Sequence, residues 1–225
     1  MATLLQIDSS ARSFDPEKSQ HQSISRKLAD CFVKSYRAQQ PDTGYIQRDL
    51  AMTPPDFISV DWIAACFKKT ELSDEEAKVL ALSDELIDEV ASADLIVISA
   101  PMYNYGMPAA LKAWFDQVIR INKTFSFDLA RGDCPIEPIF GGKTLVLLSS
   151  CGESGFEPGG AQAHKDHLGA HIQLLSRYLG ASRFFHVAAE YQEFGDERHH
   201  KSVAEALKKA ELLALELASP MAAWR

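Results

Sequence analysis

No run of apolar residues in this 225-residue chain approaches the roughly 20 that a membrane span requires. No basic n-region or cleavage site opens it either, because Met-Ala-Thr-Leu-Leu-Gln-Ile-Asp8 reads as a strand. These two absences lead us to expect a soluble, unexported, cytoplasmic protein. Cysteine is scarce: Cys31, Cys66, Cys134 and Cys151 are widely spaced without a Cys-x-x-Cys, which fits reduced thiols and offers no zinc or disulfide pattern. Basic residues are outnumbered, 23 Lys and Arg against 31 Asp and Glu, for a formal charge of −8. With no basic cluster to offset that charge locally, a nucleic-acid surface driven by phosphate neutralisation is excluded. No Gly-x-Gly-x-x-Gly occurs, so a dinucleotide-binding fold is unsupported. Gly142-Lys-Thr144 is not a phosphate loop, because Glu137 stands where its first glycine belongs. In Gly152-Glu-Ser-Gly-Phe156 the phenylalanine replaces the second glycine of a nucleophile elbow.

What is present is an alternation of strand and helix signals, organised around Asp94 to Arg120. Leu95 to Ile98 is a short continuous apolar run, the signature of a strand buried on both faces in a parallel sheet. Pro108 suits the first turn of a helix, and Leu111, Trp114, Phe115, Val118 and Ile119 then repeat at helical spacing. The Pro101-Met-Tyr-Asn-Tyr-Gly106 segment between them is the carboxyl-end loop of a central strand. Ligands of open α/β sheets bind in the crevice beyond such ends.

Further strands are predicted at Leu4 to Ile7, Tyr45 to Leu50, Thr144 to Ser149 and Phe184 to Val187. Helices are predicted from Ser23 or Ser25 onward, near Val60 to Phe67, from the capping box Ser73-Asp-Glu-Glu76 to about Ala91, over Leu168 to Tyr178 before Gly180, and over Ser202 to Leu217. On the last helix Val203, Leu207, Ala210 and Leu217 share a face. Residues 11 to 22 read as a loop. Asn122 to Phe140, with scattered aromatics, Pro135, Pro138 and no period, reads as an excursion that covers a site or a partner. With no repeat or linker and 46% hydrophobic residues, the expectation is one α/β domain over 1–225: a doubly wound five-stranded parallel sheet with helices on both faces.

Three strand-end loops then agree in chemistry. The first leads to Ser23-Ile24-Ser25 at a helix start, where free amides, hydroxyls and the helix dipole suit a phosphate. The second offers the Asn104 amide and the rings of Tyr103 and Tyr105, groups that a flat heteroaromatic ring needs for edge hydrogen bonds and stacking. The third, Ser150 to Gly160, is glycine-rich, so its backbone can approach such a ring closely. Together they suit a mononucleotide with a planar ring.

On Asp8-Ser9-Ser10, Ser23-Ile-Ser-Arg-Lys-Leu-Ala-Asp-Cys-Phe32 and above all Ala100-Pro-Met-Tyr-Asn-Tyr-Gly-Met-Pro-Ala-Ala-Leu-Lys-Ala-Trp-Phe-Asp116, the chain resembles the FMN-dependent NADH-azoreductases of the flavodoxin-like superfamily. The resemblance implies a flavodoxin-like fold and FMN held by Ser9, by Ser23, Ile24 and Ser25 at its phosphate, by Pro101, Met102, Tyr103, Asn104 and Tyr105 along the ring, and by Ser150, Cys151 and Gly152. It also implies a homodimer with sites at the interface. Trp114 and Phe115 are assigned to the core and the dimer face. Two departures stand out: the loop 11–22 is long, so Ser19 is a candidate to replace one phosphate serine, and Cys151-Gly-Glu153 stands where a Thr/Ser-x-Gly-Gly turn is common.

No side chain is expected to be catalytic and no metal is expected, because the flavin accepts hydride itself. The expected reaction is ping-pong, from NADH or NADPH through FMN to planar acceptors such as quinones and azo compounds, with Asn104 and the amides near Tyr105 stabilising charge on the flavin edge. The rival functions are a flavodoxin-type electron carrier and a flavin-free binding or hydrolytic module. Cys151 is expected to be a small buried residue rather than a redox thiol. His164, His167 and His171, at i, i+3 and i+7, form one stripe if helical; without a His-Glu-x-x-His base, a solvated or interfacial stripe is favoured over zinc.

Overall fold

The computed structural model describes residues 2–17 and 22–219. The candidate Ser19 lies outside the described residues. Five strands form a parallel sheet: β1 (Thr3–Asp8), β2 (Gly44–Asp49), β3 (Leu95–Pro101), β6 (Lys143–Ser150) and β7 (Ala181–Ala189), in the order β2-β1-β3-β6-β7. The flavodoxin-like doubly wound sheet is therefore as expected. Every position of β3 and β6 is buried, as their unbroken apolar runs require of central strands covered on both faces.

Helices α1 (Ile24–Gln39) and α6 (Glu197–Ala218) cover one face, where Leu28, Phe32, Ala206, Ala210 and Ala214 meet Leu4, Val97 and Val146. On the other face lie α3 (Asp74–Ser92), α4 (Ala109–Val118) and α5 (Gly169–Ser176), where Leu86, Trp114 and Ile172 meet Ile7, Ile98 and Leu147. The short α2 (Val60–Cys66) rests on α3 through Trp62, Ala65 and Leu80. Ser73 and Glu76 form the capping box at the start of α3.

Several expectations need correction. The excursion 122–140 is not without structure: β4 (Phe125–Phe127) and β5 (Ile136–Pro138) pair as an antiparallel two-stranded sheet. Three-residue strands are too short to carry a period. The last strand runs longer than Phe184 to Val187, because β7 lies at the sheet edge, where three of its nine positions are exposed, and its polar positions mask the pattern. Helix α6 begins five residues before Ser202, capped by Asp196, whose side chain accepts from the Arg198 amide. Its buried face is Ala206, Ala210, Ala214 and Ala218; Val203, Leu207 and Leu217 flank it. Small side chains let α6 lie close to α1, so hydrophobicity alone misplaces the stripe. Trp114 and Phe115 are both buried within the chain's own core.

Gly180 ends the turn after α5 at φ 87°, and a Cβ there would lie 2.6 Å from Cβ of Phe140. Backbone strain and a rigid neighbour therefore both demand glycine. Replacing it, Gly180→Ala, is expected to cost roughly 2 kcal/mol and to lower Tm by about 4–8 °C for a chain of this size, read by calorimetry.

Candidate functional site

The site forms where β1, β3 and β6 end. The order β2-β1-β3 reverses the chain's direction of travel between β1 and β3, and such a switch point opens a crevice. Ser23 caps α1, its side chain accepting from the Arg26 amide at 3.3 Å. Its Oγ lies 3.2 Å from Ser25 Oγ. The first-turn amides of Ile24 and Ser25 have no acceptor among the described residues, as a helix start dictates.

The β3 loop is a closed turn. The Tyr103 amide donates to Gly106 O at 2.9 Å and the Gly106 amide to Tyr103 O at 3.0 Å, while Asn104 and Tyr105 sit at φ 48° and 66°. Two positive φ values make a type I′ turn, natural for Asn and strained for Tyr. Strain of this kind, about 1–3 kcal/mol per residue, persists where surroundings impose it, and it leaves both central amides without an acceptor among the described residues. The two tyrosines point to different neighbours: Tyr103 Oη accepts from the Ala11 amide at 3.3 Å, and Tyr105 Oη reaches Glu153 at 3.3 Å.

The β6 loop is laced to the segment after β7. Cys151 N donates to Ala189 O, Gln192 N to Cys151 O and Glu193 N to Gly152 O, at 3.0 to 3.1 Å. A Cβ on Gly152 would lie 2.5 Å from Cγ of Glu193. The absent side chain of this glycine therefore also makes room for the Glu193 side chain. Cys151 is buried, and burial, with Glu190, Asp166 and Glu153 adding to it, pushes its thiol up to about 12. It is a neutral thiol at physiological pH.

Of the expected site residues, Ser23, Ile24, Pro101, Met102, Tyr103, Ser150, Cys151 and Gly152 line one cleft of about 170 Å³. Ser25 lies buried one residue inside α1, and Ser9 Oγ donates to Ser99 O at 2.8 Å at the end of β1. Asn104 and Tyr105 stand on the rim, outside the lining. The sequence reading missed Ser10, Arg12, Gln22, Gln192 and Glu193, which also line the cleft. Gln192 and Glu193 arrive from beyond the last strand, and the only signal for them was that β7 neighbours β6.

Also missed was the clamp beneath the cleft. Arg26 makes a bidentate pair with Asp49, at 2.6 and 2.7 Å, and donates to Ser10 O at 2.9 Å. Asp8 lies 3.8 Å from the same guanidinium and accepts from Ser99, Gln6 and Gln47. Burial alone would raise the Asp49 carboxyl; the Arg26 hydrogen bonds, with the amides of Ala51 and Met52, hold it below its ordinary value.

The three histidines do not form a stripe. His164 lies in a 3₁₀ turn (Ala163–Lys165), the His167 amide donates to Tyr105 O at 3.0 Å outside any helix, and His171 is on α5. Asp166 lies in the break between them, where its side chain accepts from the Leu168 and Gly169 amides just before and at the start of α5. Among the described residues no group of three His, Cys, Asp or Glu could hold a metal ion.

A family model described as the flavodoxin-like fold matches residues 3–213. The FMN-dependent NADH:quinone oxidoreductase 2 of Idiomarina loihiensis is 54% identical over 218 residues, 96% of this chain and 91% of the relative. The chain belongs to the flavodoxin-like family of FMN-dependent NADH:quinone oxidoreductases. A family member of the same name from Colwellia psychrerythraea is 55% identical over 218 residues, covering 96% of this chain and all of the relative. In fold, this flavodoxin-like chain matches an FMN-dependent NADH-azoreductase from Bacillus anthracis solved in complex with FMN: TM-score 0.82 and 20% identity, covering 97% of this chain and 100% of that one.

Two outcomes test this geometry. Arg26→Met is expected to destabilise the protein by about 3 kcal/mol at pH 7 by leaving Asp49 and Asp8 without their cation. Because the pair depresses Asp49, its contribution is present above the ordinary carboxyl value near about 3.9 and is lost as pH falls through the lower folded value. The gap between wild type and variant in urea unfolding should therefore narrow below about pH 4. Gly152→Ala is expected to cost about 1–2 kcal/mol through its clash with Glu193, and to cost far less in a Glu193→Ala background, as a double-mutant cycle in thermal unfolding would read.

Proposed function

We propose that the chain, as one domain over 1–225, is an FMN-dependent oxidoreductase of the cytoplasm. It passes a hydride from NADH or NADPH through FMN to quinones, and to aromatic azo compounds with cleavage of the azo bond, in a ping-pong sequence. The observation that carries this reading is the convergence on one cleft of a helix start with free amides, a strained tyrosine-rich turn and an anchored glycine loop. These fit an FMN: a phosphate at Ser23, Ile24 and Ser25, with Ser9 beside them, and a ring along Pro101 to Tyr105 and Ser150 to Gly152.

FMN would supply the hydride-accepting centre. The chain's part is to bind and orient. The free amides at Asn104 and Tyr105, with the Asn104 side chain, are donors suited to a ring edge that gains negative charge on reduction, and the turn that carries them is fixed in advance. Cys151, neutral and buried, takes no proton or electron in this account.

Nor is the site complete in one chain. A cleft of about 170 Å³ is smaller than the roughly 300–1,000 Å³ of ordinary ligand pockets, so a flavin ring would protrude from it. Phe57 and Val60, before and at the start of α2, are 77% and 82% exposed, and Ile63 and Phe67 continue the apolar face. Contiguous apolar surface of this kind supports a homodimer in which a second copy covers the ring.

Mixing the flavin-loaded protein with NADH under anaerobic conditions should bleach the flavin absorbance rapidly without a partner protein, and a quinone should restore it. A flavodoxin-type carrier would bleach only with a separate reductase, and failure to bind FMN at all would end the reading. Asn104→Ala should lower turnover by about tenfold through a lost hydrogen bond, and Ser25→Ala should weaken FMN binding with turnover at saturation kept. Full turnover in the first variant and full affinity in the second would overturn these assignments.

A further inference from the structure

Tyr105 carries the least natural backbone conformation of the β3 turn, and it is held there from outside. The bond from the Gly106 amide to Tyr103 O closes turns of either hand, so it does not by itself select φ 66° at a tyrosine. The selecting contacts come from one segment, 153–167. Tyr105 O accepts from the His167 amide at 3.0 Å, and the Tyr105 hydroxyl donates to Glu153 Oε1 at 3.3 Å. Its ring centroid lies 6.2 Å from that of Phe156 and 5.7 Å from Lys165 Nζ. The segment is itself braced. Phe156 is buried, the Tyr191 amide donates to Glu153 O at 3.0 Å, and the Gly155 amide donates to Glu190 Oε1 at 3.1 Å. Gln162 ties the two halves together, its amide donating to Gly155 O at 2.8 Å and its side chain accepting from Lys165 Nζ at 2.8 Å.

We propose that Glu153 and Phe156 are positioning residues for the reaction at the flavin: through Tyr105 they keep the β3 turn in its left-handed form, with the Asn104 and Tyr105 amides presented to the ring edge. The inference rests on the reading that these amides meet that edge. In a right-handed turn with the same closure the central peptide units turn over. The Tyr105 carbonyl would then leave the His167 amide, the ring would leave Phe156, and the central amides would point elsewhere. A strained tyrosine and a gripping loop are therefore two halves of one device. The contacts offset the strain, and the donors are oriented before any charge develops on the ring. Neither Glu153 nor Phe156 lines the cleft, so both act through Tyr105 and not by touching the flavin.

The test compares Glu153→Ala with Phe156→Ala, made together, in two backgrounds: the wild type and Tyr105→Gly. Glycine takes a positive φ freely and offers the segment no side chain to grip. Stripped protein is titrated calorimetrically with FMN, the midpoint potential of the bound flavin is measured against reference dyes, and thermal unfolding is followed throughout. In the wild-type background the paired change is expected to weaken FMN binding by about tenfold, as two lost contacts imply. It should also make the potential more negative, because the reduced ring edge loses its donors. In the Tyr105→Gly background it should change affinity by less than about threefold and leave the potential where Tyr105→Gly alone puts it. A lower Tm with the potential unmoved would show a purely structural role and overturn the proposal. Equal shifts in both backgrounds would overturn it too, since the segment would then act without Tyr105. Should the paired variant not fold, Tyr105→Phe and Glu153→Ala are compared singly and together: the proposal requires the pair to shift the potential no further than either alone, and additive shifts defeat it. If the wild type fails to bind FMN, the functional reading falls; if FMN binds without this coupling, only the present inference does.

Discussion

The pairing of Arg26 with Asp49 and Asp8 fixes everything above it. One guanidinium on the first turn of α1 grips the end of β2, approaches the end of β1 and holds the Ser10 carbonyl of the intervening loop. Three elements that meet at the switch point are thereby locked to a common origin. A largely buried pair of this kind adds little net stability over an apolar replacement, but it is costly to break and it has one satisfactory geometry. Its value here is positional: the first-turn amides of Ile24 and Ser25 stand two residues and one residue before the clamped arginine, so their placement relative to β1 is set by a rigid bidentate contact.

The same logic extends across the rim. Tyr103 ties the β3 loop to the β1 loop through the Ala11 amide, and Met102 N donates to Ser150 O, tying it to β6. Segment 191–193 holds the β6 loop from its other side. Each loop is thus positioned by its neighbours as well as by its own strand. That arrangement can sustain a tyrosine at positive φ, because relaxing the turn at Tyr105 would disturb its bond to His167 N and the contacts of its ring.

Much of this was legible beforehand, for definite reasons. The buried strands β3 and β6 are continuous apolar runs, and the capping box and Gly180 are short-range signals that act within a few residues, so the sheet, the start of α3 and the three loops followed from the sequence. The misses share a different cause. The hairpin β4-β5 is too short for a period, the face of α6 is chosen by close packing that favours alanine over leucine, and the histidine spacing had meaning only if a helix spanned it. At the site, contiguous motifs brought eight lining residues together, whereas Gln192 and Glu193 join them only through the pairing of β6 with β7.

Arg26 shows where such reading stops. In the sequence it is one cation on an amphipathic helix, indistinguishable from Lys27 beside it. Turning by about 100° per residue, the helix sends one toward Asp49 and leaves the other, among the described residues, without a hydrogen-bonding or ion-pair partner. Adjacent like charges thus take different parts, one consumed in fixing the scaffold and one left unpaired among the described residues. Which does which depends on an aspartate at the end of a strand twenty-three residues away, a partner that only the folded sheet brings near.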